Sequence, residues 1–309
     1  MEFKHIPVML NECLEGLNLK DNGIYVDGTI GGAGHSSEIL SRTKTAKLVG
    51  IDRDTDALTV CKERLSKFSN RVTLIHDNFK NIKNILDDLG IESVDGILVD
   101  LGVSSYQLDN EERGFSFRYN SKLDMRMNKE QKLSAYDVVN TYSLEELKNV
   151  IKDYGEERFA HSIARKIVQY REKQEIQTTG ELKDIILKSV PRYKGNDGSS
   201  NVQRTFQAIR IEVNQELTGL SDFIRAAMEK LKPQGRLVIL TFHSLEDRIV
   251  KHTFRDLSTS CVCPSDFPIC VCNHKAEGKL VNKMSVATQE EIQRNSRSAS
   301  AKLRIIEKL

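Results

Sequence analysis

The amino-acid sequence predicts an α/β fold in which a helical domain interrupts a parallel sheet. Four short apolar runs, each closed by an aspartate, alternate with stretches of helical spacing in the first third of the chain. The closing residues, Asp27, Asp52, Asp77 and Asp100, recur after about two dozen positions, the length of a strand plus its crossover helix. Such strands are expected to be parallel, with helices covering both faces of the sheet.

The remaining strands are predicted much later in the chain. The apolar run "GRLVILTF" is a fifth strand, and "SAKLRIIEK" is a sixth or seventh. From Ser104 to about Arg204 the apolar spacing is helical instead, as in "SLEELKNVIKDYG". We therefore predict one domain from residues 1–105 and 205–309, and an inserted helical domain from residues 106–204.

Composition and charge narrow the class of protein. A chain of 309 residues can bury a large core without disulfides. Lysine and arginine number 46 against 44 acidic residues, so a histone-like basic arm is excluded while local basic faces are not. The first residues are too few and too charged for a signal peptide, and no apolar run approaches the roughly 18 residues of a membrane span. We expect a cytoplasmic protein with no membrane partner.

The glycine-rich stretch "DGTIGGAGHS" follows the first predicted strand, where open parallel sheets bind ligands. A dinucleotide site requires G-x-G-x-x-G, but the nearest frame here is Gly32, Gly34 and Ser37. Asp27 also precedes the loop, where its carboxylate would repel a pyrophosphate. A ligand with adenosine at one end and a positive, phosphate-free group at the other fits better, namely S-adenosylmethionine (SAM). Asp52, which closes the second strand, is placed to accept hydrogen bonds from ribose hydroxyls.

Several longer motifs carry a resemblance to a known family. They are "HIPVMLNECL", "DGTIGGAGHS", "DGILVDLGVSS", "ERGFSF", "LDMRM", "YGEERFA", "RTFQAIRIEVN" and "TFHSLEDRIVK". These motifs resemble those of the bacterial ribosomal RNA small subunit methyltransferase H family, also called MraW. The resemblance implies a Rossmann-like SAM-dependent methyltransferase sheet with an inserted helical substrate-recognition domain. It implies methylation of the N4 amine of a cytidine in the decoding region of 16S rRNA, with 16S rRNA or the small ribosomal subunit as partner.

The resemblance also implies site residues, for some of which the sequence alone leaves alternatives open. The implied SAM contacts are Ala33, Gly34, His35, Asp52, Phe79, Asp100 and Gln107. Phe79 is either a cover for the adenine or an ordinary core aromatic, and His35 is either a ligand contact or a capping or solvent histidine. We predict that Asp100 steers the acceptor amine, although it could instead contact only the amino group of the cofactor. Ser244 is predicted to be the N-cap of the helix beginning "LEDRIVK".

Three regions are candidates for RNA contact. In "RTFQAIRIEVNQEL", Arg204, Gln207, Arg210 and Asn214 share one helical face, and we predict that Arg204 and Arg210 contact RNA. The loop "RGFSFRYN" is suited to stacking on a splayed base, or is a packed lid without RNA contact. A further basic face is formed by Arg158, Arg165, Lys166 and Arg171.

Cysteines cluster in "CVCPSDFPICVC", which contains Cys261, Cys263, Cys270 and Cys272. Disulfides are disfavoured in the cytosol, and four thiolates could bind zinc. The spacing is tighter than in common zinc knuckles, so we expect reduced thiols and no metal.

Two other functional classes remain to be tested against the methyltransferase. A dinucleotide-dependent oxidoreductase would share the sheet, and a non-catalytic RNA-binding module would share the basic faces. The sequence does not indicate an oligomeric state.

Overall fold

A computed structural model describes residues 7–191, 197–263, 269 and 271–309, and for Lys283 the backbone only. The chain forms two compact units. The sheet unit comprises the described residues of Met1–Gly102 and Gly219–Leu309, and the helical unit comprises those of Val103–Thr218.

Seven strands of the described residues form one sheet in the order β3-β2-β1-β4-β5-β7-β6. The strands are β1 (Ile24–Asp27), β2 (Lys47–Asp52), β3 (Val72–His76), β4 (Val94–Asp100), β5 (Leu231–Thr241), β6 (Gly278–Val286) and β7 (Lys302–Lys308). Strands β1 to β5 are parallel, and β7 pairs antiparallel with both β5 and β6. The order of the first five strands is that of doubly wound nucleotide-binding sheets.

Register brings the predicted aspartates to one edge of this sheet. Asp27 ends β1 opposite Gly50 and Leu98, and Asp52 ends β2 opposite His76. Asp100 ends β4. Because these strands are parallel, their final carboxylates face the same crevice beyond the sheet.

Helices cover both faces of the sheet, as the alternation of side chains requires. In the sheet unit the helices are α1 (Leu10–Leu17), α2 (Gly34–Arg42), α3 (Thr55–Arg64), α4 (Ile82–Asp88), α11 (Leu220–Lys230), α12 (Ser244–Ser258) and α13 (Gln289–Arg294), with short 3₁₀ helices at Ser66–Arg71, Phe79–Asn81 and Ser296–Ser300. In β4, Ile97 and Val99 join one core cluster with residues of α4, α11 and α12, whereas Leu98 joins the other with residues of α1, α2 and α3.

The helical unit has its own core around α10. Its helices are α5 (Ser105–Asp109), α6 (Ala135–Thr141), α7 (Leu144–Gly155), α8 (Ala160–Arg171), α9 (Thr179–Leu187) and α10 (Ser199–Asn214), with a 3₁₀ helix at Glu111–Arg113. Helices α6, α7 and α9 begin with capping boxes at Ser134, Ser143 and Thr178. Each box gives hydrogen-bond partners to backbone N–H groups at the helix start and contributes about 1 kcal/mol to stability. These caps define sharp helix starts in a polar sequence.

The predicted fold class, an α/β protein with a Rossmann-like sheet and a helical insertion, is confirmed. The predicted boundary between residues 204 and 205 falls inside α10, which packs on α7 and α9, so the helical unit extends to Thr218. Strand β6 was not predicted from the sequence. No helix among the described residues has both the length and the apolar character needed to cross a bilayer.

Candidate active site

The glycine loop between β1 and α2 is tied to two strands, β4 and β2, by backbone hydrogen bonds. Gly28 N–H donates to the Leu98 carbonyl at 2.8 Å, and Ile30 N–H donates to the Ile51 carbonyl at 3.0 Å. The loop then turns through two left-handed residues, Gly31 (φ 49°) and Ala33 (φ 58°). A left-handed alanine is uncommon and marks a turn that the surrounding contacts enforce.

Asp27 lies buried at the base of this loop. Its Oδ2 accepts a 2.6 Å hydrogen bond from Ser36 Oγ, and its Oδ1 accepts a 3.3 Å bond from Thr29 N–H. Burial, with a smaller contribution from the nearby Asp52, raises the pKa of Asp27 from 3.8 to about 6 although its hydrogen bonds oppose the shift. The loop sequence itself therefore supplies the groups that solvate this carboxylate.

Asp52 supports the loop from the end of β2. Its Oδ2 accepts from Gly31 N–H at 2.8 Å and its Oδ1 accepts from Asp54 N–H at 2.9 Å. Burial raises the pKa of Asp52 to about 6. The predicted bond to a ribose hydroxyl would be additional to these backbone bonds, since each carboxylate oxygen has two lone pairs.

Asp100 differs from the other two carboxylates because part of it has no partner. Its backbone N–H donates to Thr29 Oγ1 at 2.7 Å, but its Oδ1 is buried without a hydrogen bond to any described residue. Burial raises the pKa of Asp100 from 3.8 to about 8, with repulsion from Asp27 and Glu246 adding to the effect. A buried orphan oxygen is costly unless a ligand donates to it or carries a positive charge.

The other implied contacts are distributed as follows. Ala33 is the N-cap of α2 and supplies no side-chain hydrogen bond to its first N–H groups, and Gly34 begins the helix. Phe79 is a core aromatic packed edge to face on Phe223, with ring centroids 4.7 Å apart. A Cβ on Gly28 would lie 3.0 Å from the Cβ of Phe79, so Phe79 is adjacent to the loop as well.

His35 and Gln107 have structural partners. The Nε2 of His35 lies 3.0 Å from the Val8 carbonyl, and the ring is buried. The alternative of a solvent or capping histidine is therefore wrong. Gln107 lies in the helical unit, where it forms a capping box with Ser104 at the start of α5. Ligand contact by either residue stays a prediction.

The predicted cap of α12 is corrected. The N-cap of α12 is His243, and Ser244 is the first helical residue. The carboxylate of Glu246 accepts from the N–H groups of Phe242 and His243 at 3.0 and 3.4 Å, which fixes the helix start one residue earlier. Asp77 follows the end of β3, and Asn78 is the N-cap of the turn after it.

Three supporting residues were missed from the sequence. Thr29 links Asp27 to Asp100, and Ser36 hydrogen-bonds Asp27. The sequence feature that could have identified Thr29 and Ser36 is the presence of two hydroxyl residues within the stretch "DGTIGGAGHS". Glu246 is buried beside Asp100. The sequence feature that could have identified it is an acidic residue at the third position of α12, where a capping box has one.

The polar face of α10 is not a solvated stripe. The Arg210 guanidinium forms a bidentate ion pair with Glu216 at 2.8 and 2.9 Å, and Arg204 pairs with buried Glu157 at 2.6 Å. Asn214 is buried and donates to the Met125 carbonyl at 2.8 Å. RNA contact by Arg204 and Arg210 stays a prediction, but both guanidinium groups are engaged in ion pairs within the unit.

Most of the loop "RGFSFRYN" is also packed. Arg113 and Phe115 are buried, and Phe117 packs edge to face on Phe206 at 5.4 Å, whereas Arg118 is exposed. The alternative of a packed segment therefore describes three of these four residues.

Some of the exposed cations of the helical unit lie on α7 and α8 or on the turn between them. Arg158, Arg165 and Lys166 are exposed as predicted, while Arg171 is half-buried and donates to the Val139 carbonyl at 2.6 Å. A cleft of about 370 Å³ is lined by Lys148, Lys152, Glu157, Arg158, Ala160 and His161. Lys148 and Lys152 were not among the sequence-based candidates for RNA contact, because a lysine on a helix is usually only solvated surface.

Comparisons with known proteins identify the family of this chain. The family model described as the MraW methylase family matches residues 2–309. Ribosomal RNA small subunit methyltransferase H from Finegoldia magna is 51% identical over 311 residues, covering 100% of both chains. The protein of the same name from Clostridium botulinum is 52% identical with the same coverage, and that from Clostridioides difficile is 50% identical, again over 100% of both chains. The sequence resemblance is thereby confirmed, and the chain belongs to the MraW methylase family.

Proposed function

We propose that this protein transfers a methyl group from SAM to the N4 amine of a cytidine in the decoding region of 16S rRNA. The relatives named above are ribosomal RNA small subunit methyltransferases, and each matches the full length of this chain. The observation that carries the proposal is the buried Oδ1 of Asp100, which lacks a partner beside the glycine loop.

The residues at the strand ends suit SAM better than a dinucleotide. Asp27, Asp52 and Asp100 surround the loop, so a pyrophosphate would meet three carboxyl groups and a cation would be stabilised by them. The N-terminus of α2, without a side-chain cap, offers N–H groups and the positive end of a helix dipole to a ligand carboxylate. SAM supplies the sulfonium methyl group that is transferred.

Asp100 is proposed to orient the acceptor. A cytosine amine is a weak nucleophile because its lone pair is delocalised into the ring, so its alignment with the methyl group matters most. An ionised Asp100 could accept a hydrogen bond from that amine. Its raised pKa falls when a positive ligand binds nearby, which makes the acceptor form available in the loaded site.

The roles of Asp100 in binding and in chemistry can be separated experimentally. Asp100→Asn keeps the shape and removes the charge, and SAM affinity is measured by calorimetry apart from the single-turnover methylation rate. An orienting role requires the bound-state rate to fall. If only SAM affinity falls, Asp100 is a cofactor contact and has no part in steering the amine.

RNA is proposed to contact the helical unit. Lys152, Arg165 and Lys166 present exposed cations on α7 and α8. Arg204 and Arg210, the sequence-based candidates, would have to leave Glu157 and Glu216 to reach a phosphate. We therefore rank the exposed cations of α7 and α8 ahead of them.

The direct test is a methylation assay with labelled SAM on small subunits and on 16S rRNA that lack the modification. We expect label at the N4 position of one cytidine, mapped by nuclease digestion and mass spectrometry. RNA binding without transfer of label would identify a non-catalytic module. Calorimetric binding of NAD in place of SAM would identify the oxidoreductase instead.

A further inference from the structure

Three cysteine thiols lie together in the segment between α12 and β6, in the sheet unit. The Sγ atoms of Cys261, Cys263 and Cys272 all lie within 4.8 Å of one another. Those of Cys261 and Cys272 are 3.8 Å apart. The fourth cysteine of the motif, Cys270, lies outside the described residues. The cluster therefore stands on three residues that come from both sides of the loop.

The spacing of these sulfurs matches a shared metal ion. A tetrahedral zinc ion with Zn–S bonds of about 2.3 Å holds its sulfur ligands about 3.8 Å apart. A disulfide would require about 2.05 Å between two of them. The separation of Cys261 and Cys272 equals the edge of such a tetrahedron. The distances from the sulfur of Cys263 to the other two sulfurs are at most 4.8 Å, so they exceed that edge by no more than about 1 Å.

The backbone around the cluster supports sulfur atoms that carry negative charge. Val262 N–H donates to Cys272 Sγ at 3.5 Å, and Val271 N–H donates to Cys263 Sγ at 3.4 Å. Each N–H thus comes from the residue beside a cysteine and points to a cysteine on the other side of the loop. Hydrogen bonds to ligand atoms are the usual support of metal sites, since they offset the charge of the thiolates.

Hydrophobic burial does not hold this part of the loop together. Val262 is 62% exposed and Val271 is 67% exposed, although both lie next to the clustered cysteines. Burial of apolar surface is what normally orders a segment without helix or strand. Segments that lack such a core are commonly held by a metal or by cross-links.

We propose that Cys261, Cys263 and Cys272 are three ligands of a structural zinc site, contrary to the expectation of reduced thiols without metal. Thiolates select zinc over magnesium or calcium, whose ligands are oxygens. Zinc bonds would connect the residues after α12 to those before β6. The site is separate from the three aspartates, and its role is to order this loop.

The first test measures metal in the full-length protein purified under reducing conditions without added metal or chelator. We expect about one zinc ion per chain by elemental analysis. Cys263→Ser and Cys272→Ser should each reduce zinc affinity about tenfold or more in competition with a chromophoric chelator. Cys13→Ala is the matched control, because it removes a buried thiol outside the cluster and should leave zinc content unchanged.

Cobalt gives a readout that does not depend on activity. Metal-free protein titrated with Co²⁺ should show a thiolate-to-cobalt charge-transfer band and intense tetrahedral ligand-field bands, saturating at about one equivalent. The Cys261→Ser, Cys263→Ser, Cys272→Ser triple variant should show neither, while its circular dichroism and SAM affinity stay those of the parent. Absence of both zinc and the cobalt bands in the parent, or their persistence in the triple variant, would overturn the proposal.

Discussion

In the helical unit the buried carboxylates of Glu157 and Glu216 each face an arginine, whereas in the sheet unit Asp27 is met by neutral donors and Asp100 keeps one oxygen without a partner. A buried charge that is paired and hydrogen-bonded is a structural element. One that is left unpaired at a strand end costs free energy, and it persists where a ligand completes it. The contrast is therefore between Glu157 and Glu216, whose charges are paired within their own unit, and Asp100, whose Oδ1 has no partner among the described residues.

The largest effect is expected on the stability of the helical unit, when the ion pair of Arg204 and Glu157 is removed. Arg204→Ala would leave the carboxylate of Glu157, whose side chain is 0% exposed, with Asn201 as its main remaining side-chain donor. Because Arg204 is itself 37% exposed, we expect a loss of about 2 kcal/mol in the free energy of unfolding by urea. Arg165→Ala, an exposed arginine on α8, should change it by less than about 0.5 kcal/mol. Equal effects of the two variants would contradict the structural role of the pair.

A smaller effect is expected from pH on SAM binding. With a pKa of about 8, Asp100 is mostly protonated at neutral pH and must lose its proton to attract a cation. SAM affinity should therefore rise by up to about tenfold per pH unit as pH increases toward 8 and then level off. Asp100→Asn is the control for titration of the ligand's own amino group. The same pH slope in both proteins would show that this carboxyl does not control binding.

The same carboxyl should weaken the ligand-free fold at high pH. Between its ordinary pKa and about 8, the folded chain holds a proton that the unfolded chain has lost, so stability falls as pH rises through this window. Asp100→Asn removes this cost. Its melting temperature relative to the parent should be higher at about pH 8.5 than at about pH 5, by 2–4 °C for each kcal/mol relieved. A difference that does not vary with pH would contradict the raised pKa.

The smallest effect concerns RNA affinity. Lys152→Ala should reduce the slope of log binding constant against log salt concentration by about 0.7–0.9, the value of one phosphate contact. Arg210→Ala should leave the slope unchanged, because its guanidinium is paired with Glu216. The reverse result would restore Arg210 to the phosphate contacts and remove Lys152.

Local patterns predicted the sheet unit well. Each of the four apolar runs is a strand, and its closing aspartate is the last residue of the strand or, for Asp77, the residue after it. The edge strand β6 escaped prediction since its sequence mixes lysine and asparagine with exposed apolar residues such as Val281 and Met284. The glycine loop was recognised from its residues, but the missing partner of Asp100 depends on what the rest of the unit places around it.

The helical unit shows why the partners of polar side chains could not be predicted from the sequence. Asn214 shares the polar face of α10 that the sequence suggested for RNA contact, yet it hydrogen-bonds Met125 and Met127, more than eighty positions away in the chain. Periodicity identifies a face of a helix but not what covers it. Only the tertiary structure distinguishes an arginine that binds a phosphate from one that neutralises a buried glutamate.

Strand β7 lies between β5 and β6, although it follows both of them in the chain. During synthesis, β5 therefore emerges with one side unpaired and keeps an open edge until residues 302–308 have left the ribosomal exit tunnel. A nascent or truncated chain without Leu303, Ile305 and Ile306 would expose the apolar residues that these side chains cover. Such a chain would be prone to edge-to-edge aggregation, so residues 302–308 are needed to cover the open edge of β5.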